Sequence, residues 1–406
     1  MDVFVARQAI FDRHQKVHGY ELLARSCVDG VSAHAHDLMA SLEVITNSFL
    51  SMGVENVLGG KRAFINFPQE LLGDERALVL PPKTTVIEIL ETVKPEPAVI
   101  AACRALRHKG YTLALDDFVC DNGWDRFTDL VSIIKVDFRS TSRGEQKKLV
   151  QRYAPRGIRM LAEKVETQGE FQEACQLGYE YFQGYFFARP VVLSRQEIPV
   201  CKLNHLRILE QIHRPELDYP ALEKLIRREV SLASKLLRFI NSALFAWGQP
   251  VQSIMQALTG MGDQEIRTWV SLATLPILTV NKPDELMRTA LVRARFCELL
   301  AVGAGLGHRK ADLFLIGLFS LLDAMLDRPL SEVLAEIKLN GEIGGVLLNR
   351  VATGNQLAAV YGLIRQYEAG EWESLAATAD SMSIPRHTIP ETYVESVAWS
   401  EQIFSC

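Results

Sequence analysis

The sequence predicts an α/β chain in which a TIM-like (β/α) barrel over residues 1–198 is followed by an all-helical domain over 199–406. Three observations carry this expectation. Up to Pro190, short apolar runs alternate with helical stretches, the pattern of right-handed crossovers above a parallel sheet. The polar residues of those runs, Glu21, Asn66, Glu88, Asp116, Lys135, Glu163 and Gln183, each stand at or near the carboxyl end of a different run. A barrel gathers such ends on one face, whereas an open doubly wound sheet spreads them along a line. Beyond 199 no strand series continues, and Pro and Gly punctuate apolar segments of helical length.

Taken in order, residues 3–11 and 17–25 are strand-like runs around a polar turn and predict a hairpin. Residues 36–52 carry Leu38, Met39, Leu42, Ile45 and Phe49 at helical spacing. Strands follow at 62–67, 85–90, 111–118, 133–137, 159–163 and 181–187, with helices at 97–109, 143–153 and 168–178. In the second half, helices are expected at 220–242, 255–261, 265–275, 283–302, 311–326, 330–339 and 354–367.

Composition sets the outer bounds. The chain has 406 residues, 48% hydrophobic and 23% charged, and a formal net charge of -5, which gives no basic face for a nucleic-acid polymer. Its seven cysteines (27, 103, 120, 175, 201, 297 and 406) form no C-x-x-C pair, so a reducing compartment is expected and neither a disulfide framework nor a zinc knuckle. Val3-Phe4-Val5 follows Met1-Asp2 directly, and charges interrupt every apolar stretch. No signal peptide and no membrane span are expected, and the protein is expected to be cytoplasmic.

The chemistry centres on 111–118, where an apolar run ends in Asp116-Asp117, and on 133–137, which carries Lys135. Adjacent carboxylates cannot both be buried and ionised without compensating cations. The gathered set is rich in carboxylates, with an amide and a lysine, and oxygen ligands of this kind suit Mg²⁺ or Mn²⁺ rather than zinc. Such a site serves phosphoryl transfer, or enolisation with Lys135 as base; composition and spacing leave both open. No G-x-G-x-x-G or P-loop motif is present.

Seven blocks in this order resemble the EAL domain, the cyclic-di-GMP phosphodiesterase family of bacterial signalling. They are Glu21-Leu22-Leu23-Ala24-Arg25, Phe64-Ile65-Asn66, Glu88-Ile89-Leu90-Glu91, Leu115-Asp116-Asp117-Phe118, Ile134-Lys135-Val136-Asp137, Ala162-Glu163-Lys164-Val165-Glu166-Thr167 and Gln183-Gly184-Tyr185-Phe186. The second half is similar to the HDOD domain, a helical relative of HD phosphohydrolases, through residues 231–243 and 251–258. The resemblance implies an EAL–HDOD signalling protein whose barrel binds cyclic-di-GMP with two divalent metals, Mg²⁺ or Mn²⁺, and hydrolyses it to pGpG. Glu21, Asn66, Glu88 and Asp116 would hold the first metal and Asp117 the second. Lys135, Glu163 and Glu21 would serve catalysis; Arg25, Gln183 and Tyr185 would bind substrate; Glu166 would support the loop by the second metal. A homodimer is also implied.

Departures from the family accompany this. The stretch after Asp117 reads Val119-Cys120-Asp121-Asn122-Gly123-Trp124-Asp125 in place of a longer Gly-Thr-Gly loop, Lys164 stands for glycine and Leu22 for alanine. These changes bear on turnover more than on binding, so a catalytically inactive cyclic-di-GMP receptor or scaffold is the alternative. In the helical half Asp323 has no histidine partner, which makes that domain a non-catalytic module for a protein partner. His34 and His36 read as a solvated segment, His205, His213 and His308 as core or surface residues, and Cys120 as a thiol without a redox role.

Overall fold

The computed structural model describes residues 3–26, 58–74, 80–118, 124–189, 200–214, 216–241, 251–339 and 341–405. Eight strands close into one barrel in sequence order: β1 (Val3–Asp12), β2 (Val17–Ser26), β3 (Arg62–Phe67), β4 (Thr85–Ile89), β5 (Thr112–Leu115), β6 (Ile133–Asp137), β7 (Arg159–Glu163) and β8 (Tyr181–Gln183). Strands β2 to β8 are parallel, while β1 runs antiparallel to both neighbours, through the expected hairpin to β2 and through closure onto β8. An interior layer of Ile10, Phe64, Val86, Ala114, Ile133, Leu161 and Tyr181, one residue from nearly every strand, fills the barrel and makes it a packed core.

The crossovers fold where the sequence places helix signals. Helix α1 (Gln69–Leu72) is a single turn after β3, and α2 (Pro97–His108) opens on a proline in its first turn. Helices α3 (Arg143–Tyr153) and α4 (Gln168–Leu177) each begin with a complete capping box, Ser142 with Glu145 and Thr167 with Glu170. Strand β8 is shorter than the expected 181–187, because Gly184 adopts φ 142° and residues 185–188 turn into a 3₁₀ helix. A Cβ on Gly184 would lie 2.1 Å from the Val165 carbonyl oxygen, so only glycine permits this close approach. The helix expected at 36–52 lies outside the described residues.

The chain divides into two compact units, Met1–Arg189 with Leu363–Cys406, and Pro190–Gly362. The second unit is helical: α5 (Val200–Ile212), α6 (Tyr219–Ile226), α7 (Val230–Ile240), α8 (Ile254–Met261), α9 (Asp263–Leu278), α10 (Asp284–Gly303), α11 (Lys310–Phe319), α12 (Leu322–Leu326), α13 (Leu330–Glu336) and α14 (Glu342–Leu347). The single helices expected at 220–242 and 311–326 are each two, divided at 227–229 and at 320–321. Helix α15 (Gln356–Ala369) begins in the second unit and ends in the first, where α16 (Trp372–Ser381) and α17 (Thr388–Ser405) also belong. Among the described residues no helix is long and apolar enough to cross a membrane.

Candidate active site

The parallel register sets the polar ends of the strands at one level. Asn66 on β3 lies opposite Glu88 on β4, and Lys135 and Asp137 on β6 lie opposite Leu161 and Glu163 on β7. Alternation along each strand turns these side chains into the barrel mouth while their neighbours pack outward. Lys135 is the centre of the group. Its Nζ lies 2.8 Å from Glu88 Oε1, 2.7 Å from Asp116 Oδ1, 3.0 Å from Glu163 Oε1 and 3.3 Å from Glu21 Oε2. Two amides complete the ring: Asn66 donates to Glu21 Oε1 at 3.3 Å, and Gln183 donates to Glu21 Oε2 at 2.7 Å.

Five strands thus supply four carboxylates and one ammonium, within a mouth where Lys135 and Glu88 are wholly buried. With every carboxylate ionised, three negative charges remain uncompensated, and the protonation states respond. Burial, then the charge of Glu21, pushes Glu88 well above the carboxylate range, and Lys135 offsets only part of this. Burial, with Asp116 and Glu21 adding, raises Glu163 to about 8. Burial alone would lower Lys135, but its four carboxylate neighbours hold it well above the ordinary lysine value. Neither oxygen of Glu88 accepts a well-formed hydrogen bond, although the Lys135 ammonium is at contact distance.

Buried carboxylate oxygens whose one close partner is a shared ammonium, an all-oxygen donor set and surplus negative charge fit a hard divalent cation. In the present side-chain arrangement the Lys135 ammonium acts as the counter-ion, and among the described residues no acidic, histidine or cysteine side chains already form a metal-binding group of three.

Of the residues singled out by sequence, Glu21, Asn66, Glu88, Asp116, Lys135, Glu163 and Gln183 meet in this cluster. Asp117 stands apart: the residue is exposed overall, at φ 42°, while partial desolvation of its carboxyl and the Asp116 charge raise its pKa. Glu166 accepts from Arg139 at 2.6 Å and from Arg189 at 2.7 Å, which fixes the segment after β7. The Tyr185 hydroxyl donates to the Glu368 carbonyl at 3.2 Å. Arg25 lies on β2 with its side chain outside the described set, as are Cys120, His34, His36 and the substituted loop at 119–123.

One residue of the site, Gln8, escaped the sequence reading, and Lys164 and Asp137, read there only as members of motifs, form a pair at its rim. Gln8 lies opposite Glu21 in the β1–β2 register and accepts from Gln183 at 2.8 Å. As a polar residue in an apolar run, one alternation step from an outward neighbour, it carried a signal that could have been read. Lys164, at φ 55°, donates to Asp137 at 2.6 Å across the β6 and β7 ends. That bond and the backbone amides of Ser140 and Arg139 keep Asp137 below the carboxylate range despite burial.

In the helical unit, Asp323 accepts from the Ala324 amide at 2.8 Å, and burial raises its pKa. His213 packs edge-on against Phe319 with ring centroids 5.2 Å apart, and burial followed by the Arg267 charge lowers it to about 3.

An eight-stranded barrel with a ring of carboxylates around a lysine at its mouth, joined to a helical unit, defines a two-part protein with an acidic polar site. The EAL domain family model matches residues 3–190 and the HDOD domain model residues 198–328. The chain is 33% identical over 411 residues to the uncharacterized protein YuxH of Bacillus subtilis, covering 99% of each. It is 32% identical over 406 residues to the cyclic di-GMP phosphodiesterase CdgJ of Vibrio cholerae, covering 98% of this chain and 93% of that one. The manganese/cy-diGMP complex of Klebsiella pneumoniae BlrP1 superposes with a TM-score of 0.38 at 25% identity, over 46% of this chain and 55% of that one. The matched part therefore covers little more than half of that protein's length. The chain belongs to the family of proteins in which an EAL domain is followed by an HDOD domain.

Proposed function

We propose that the barrel binds cyclic-di-GMP and hydrolyses one of its phosphodiester bonds to give linear pGpG. The observation that carries this reading is the convergence of Glu21, Glu88, Asp116 and Glu163 on one buried lysine at the barrel mouth. The family membership and the activity in the name of CdgJ support it.

Glu21, Asn66, Glu88 and Asp116 would hold one divalent cation, Mg²⁺ or Mn²⁺, and Asp117 a second. Such cations supply charge stabilisation at phosphorus and at both the attacking and leaving oxygens. The chain's own groups do the rest. Lys135, freed from part of its carboxylate shell, holds or accepts a proton at the attacking water. Glu163, raised to about 8 without cations, gives up its proton as cations bind and then accepts hydrogen bonds at the site as a carboxylate. Gln183 and Gln8 orient Glu21. Arg25 and Tyr185 contact the dinucleotide, and Glu166 steadies the segment that follows β7. The helical unit is a non-catalytic module for a protein partner, and the barrel pairs as a homodimer.

A second reading, a receptor that binds without turnover, is favoured by one feature. Lys164 brings a positive charge to the neighbourhood of Asp117, where the second cation would stand. Turnover by the purified full chain with Mn²⁺ separates the two. Hydrolysis to pGpG that is lost in Glu21→Ala supports the enzyme. Saturable binding with no product supports the receptor, and the absence of both ends the proposal.

A further inference from the structure

Strand β8 spans only Tyr181–Gln183 and pairs with β1 only at Ile10, Phe11 and Asp12. The earlier part of β1 therefore presents backbone groups on the β8 side that, among the described residues, no strand receives, an open edge that folded proteins cover. Two tyrosines from the far end of the chain cover it. The buried Tyr367 hydroxyl donates to the Val5 carbonyl at 2.8 Å, and the Arg7 amide donates to the Tyr393 hydroxyl at 3.3 Å. Val5 and Arg7 are two residues apart, so both bonds fall on the same edge. The tyrosine rings pack together with centroids 4.7 Å apart. The Arg7 side chain, almost fully buried, lies 3.4 Å from Glu401 and 4.3 Å above the Tyr20 ring. The Tyr185–Glu368 bond fastens the turn after β8 to the same helix, α15.

What this edge carries is Gln8, the residue after Arg7. With Arg7 turned outward, Gln8 turns into the mouth, opposite Glu21, and accepts from the same Gln183 amide that donates to Glu21. We propose that residues 363–406 are a positioning element of the acidic site. By replacing a strand partner along β1 they fix Gln8, and through Gln183 they set the orientation of Glu21. This inference rests on the functional reading above for its activity readout but not for its structural one. It also makes the end of the chain from Leu363, beyond the HDOD match, part of the barrel's working unit.

The test uses the full chain carrying Tyr367→Phe and Tyr393→Phe together, with Glu401→Gln as a milder variant and Glu401→Asp as its conservative counterpart. Hydrogen–deuterium exchange in the β1 segment, which needs no ligand, should rise selectively at residues 5–9 while the other strands stay protected. Mn²⁺ affinity and kcat for cyclic-di-GMP should each fall on the order of tenfold, the scale of a small misplacement of reacting groups. Gln8→Ala should produce a similar loss and add nothing to the tyrosine pair, because both act on one link. Glu401→Asp should recover most of the Glu401→Gln loss. Unchanged β1 exchange and Mn²⁺ affinity in a folded tyrosine variant, or additive losses with Gln8→Ala, would overturn the proposal. If wild type neither binds nor hydrolyses the dinucleotide, the functional reading fails, and the exchange and Mn²⁺ results still decide the positioning role.

Discussion

Replacing Glu88 with glutamine should make the cation-free protein more stable while it destroys the site. The Glu88 carboxylate is 0% exposed, neither oxygen has a well-formed hydrogen bond, and its pKa is raised by burial and by Glu21. Lys135 would still have Asp116, Glu163 and Glu21 as partners. The isosteric amide is neutral at every pH and opens no cavity, whereas each pH unit between the ordinary carboxylate value and the raised one costs the wild type about 1.4 kcal/mol. Because the folded pKa exceeds the unfolded one, the wild-type penalty is absent at low pH and grows as pH rises above the ordinary carboxylate value. Thermal unfolding of Glu88→Gln in a chelator should therefore match wild type near pH 5 and exceed it at pH 8, by about 2–4 °C per kcal/mol. Wild type should gain about 2.7 kcal/mol from Mn²⁺ at a hundred times Kd, and the variant much less. A variant that is less stable than wild type at pH 8 without cations, or a gap that ignores pH, would refute this account of the charge imbalance.

Three further outcomes follow from the same geometry. Lys135→Met strips the ammonium from four carboxylates; it should destabilise the cation-free barrel by about 3–5 kcal/mol at pH 8, less at pH 5 as they take up protons, and lower kcat by 10²-fold or more. Glu163, raised to about 8, is protonated at pH 7, so Mn²⁺ binding should release protons at pH 7 and fewer at pH 9, measurable by calorimetry in buffers of different ionisation enthalpy. His213 is held neutral to about 3 against an ordinary 6.5, so its contribution to the helical unit is complete above pH 6.5 and lost as pH falls toward 3; His213→Leu should flatten that acid limb of the unfolding curve.

Much of this was legible in the chain. The strands at 62–67, 133–137 and 159–163 lie where their apolar runs end, because a buried parallel strand shows itself as a short continuous hydrophobic segment. The seven-residue cluster was legible for the same reason: a polar residue closing such a run must emerge at the mouth. What was hidden is what sequence-local rules do not encode. The aromatic run 181–187 reads as one strand, but the contact of Gly184 with the Val165 backbone ends it after three residues. No Gly or Pro marks the break between α6 and α7, where Arg227-Arg228-Glu229 interrupts an otherwise helical pattern. Tyr367 and Tyr393 look like ordinary core residues, and their partners on β1 are more than three hundred residues away. The polarity of Gln8 was legible in its run, but the contacts that the returning chain end makes beside it on β1 were not.

The most direct test of the central claim is anomalous diffraction at the manganese edge from crystals of the full chain grown with Mn²⁺ and cyclic-di-GMP. The account predicts a strong peak at the barrel mouth within coordination distance of Glu21, Asn66, Glu88 and Asp116, with Lys135 turned from its present central place. Manganese bound only elsewhere, with Lys135 still held among all four carboxylates, would contradict it.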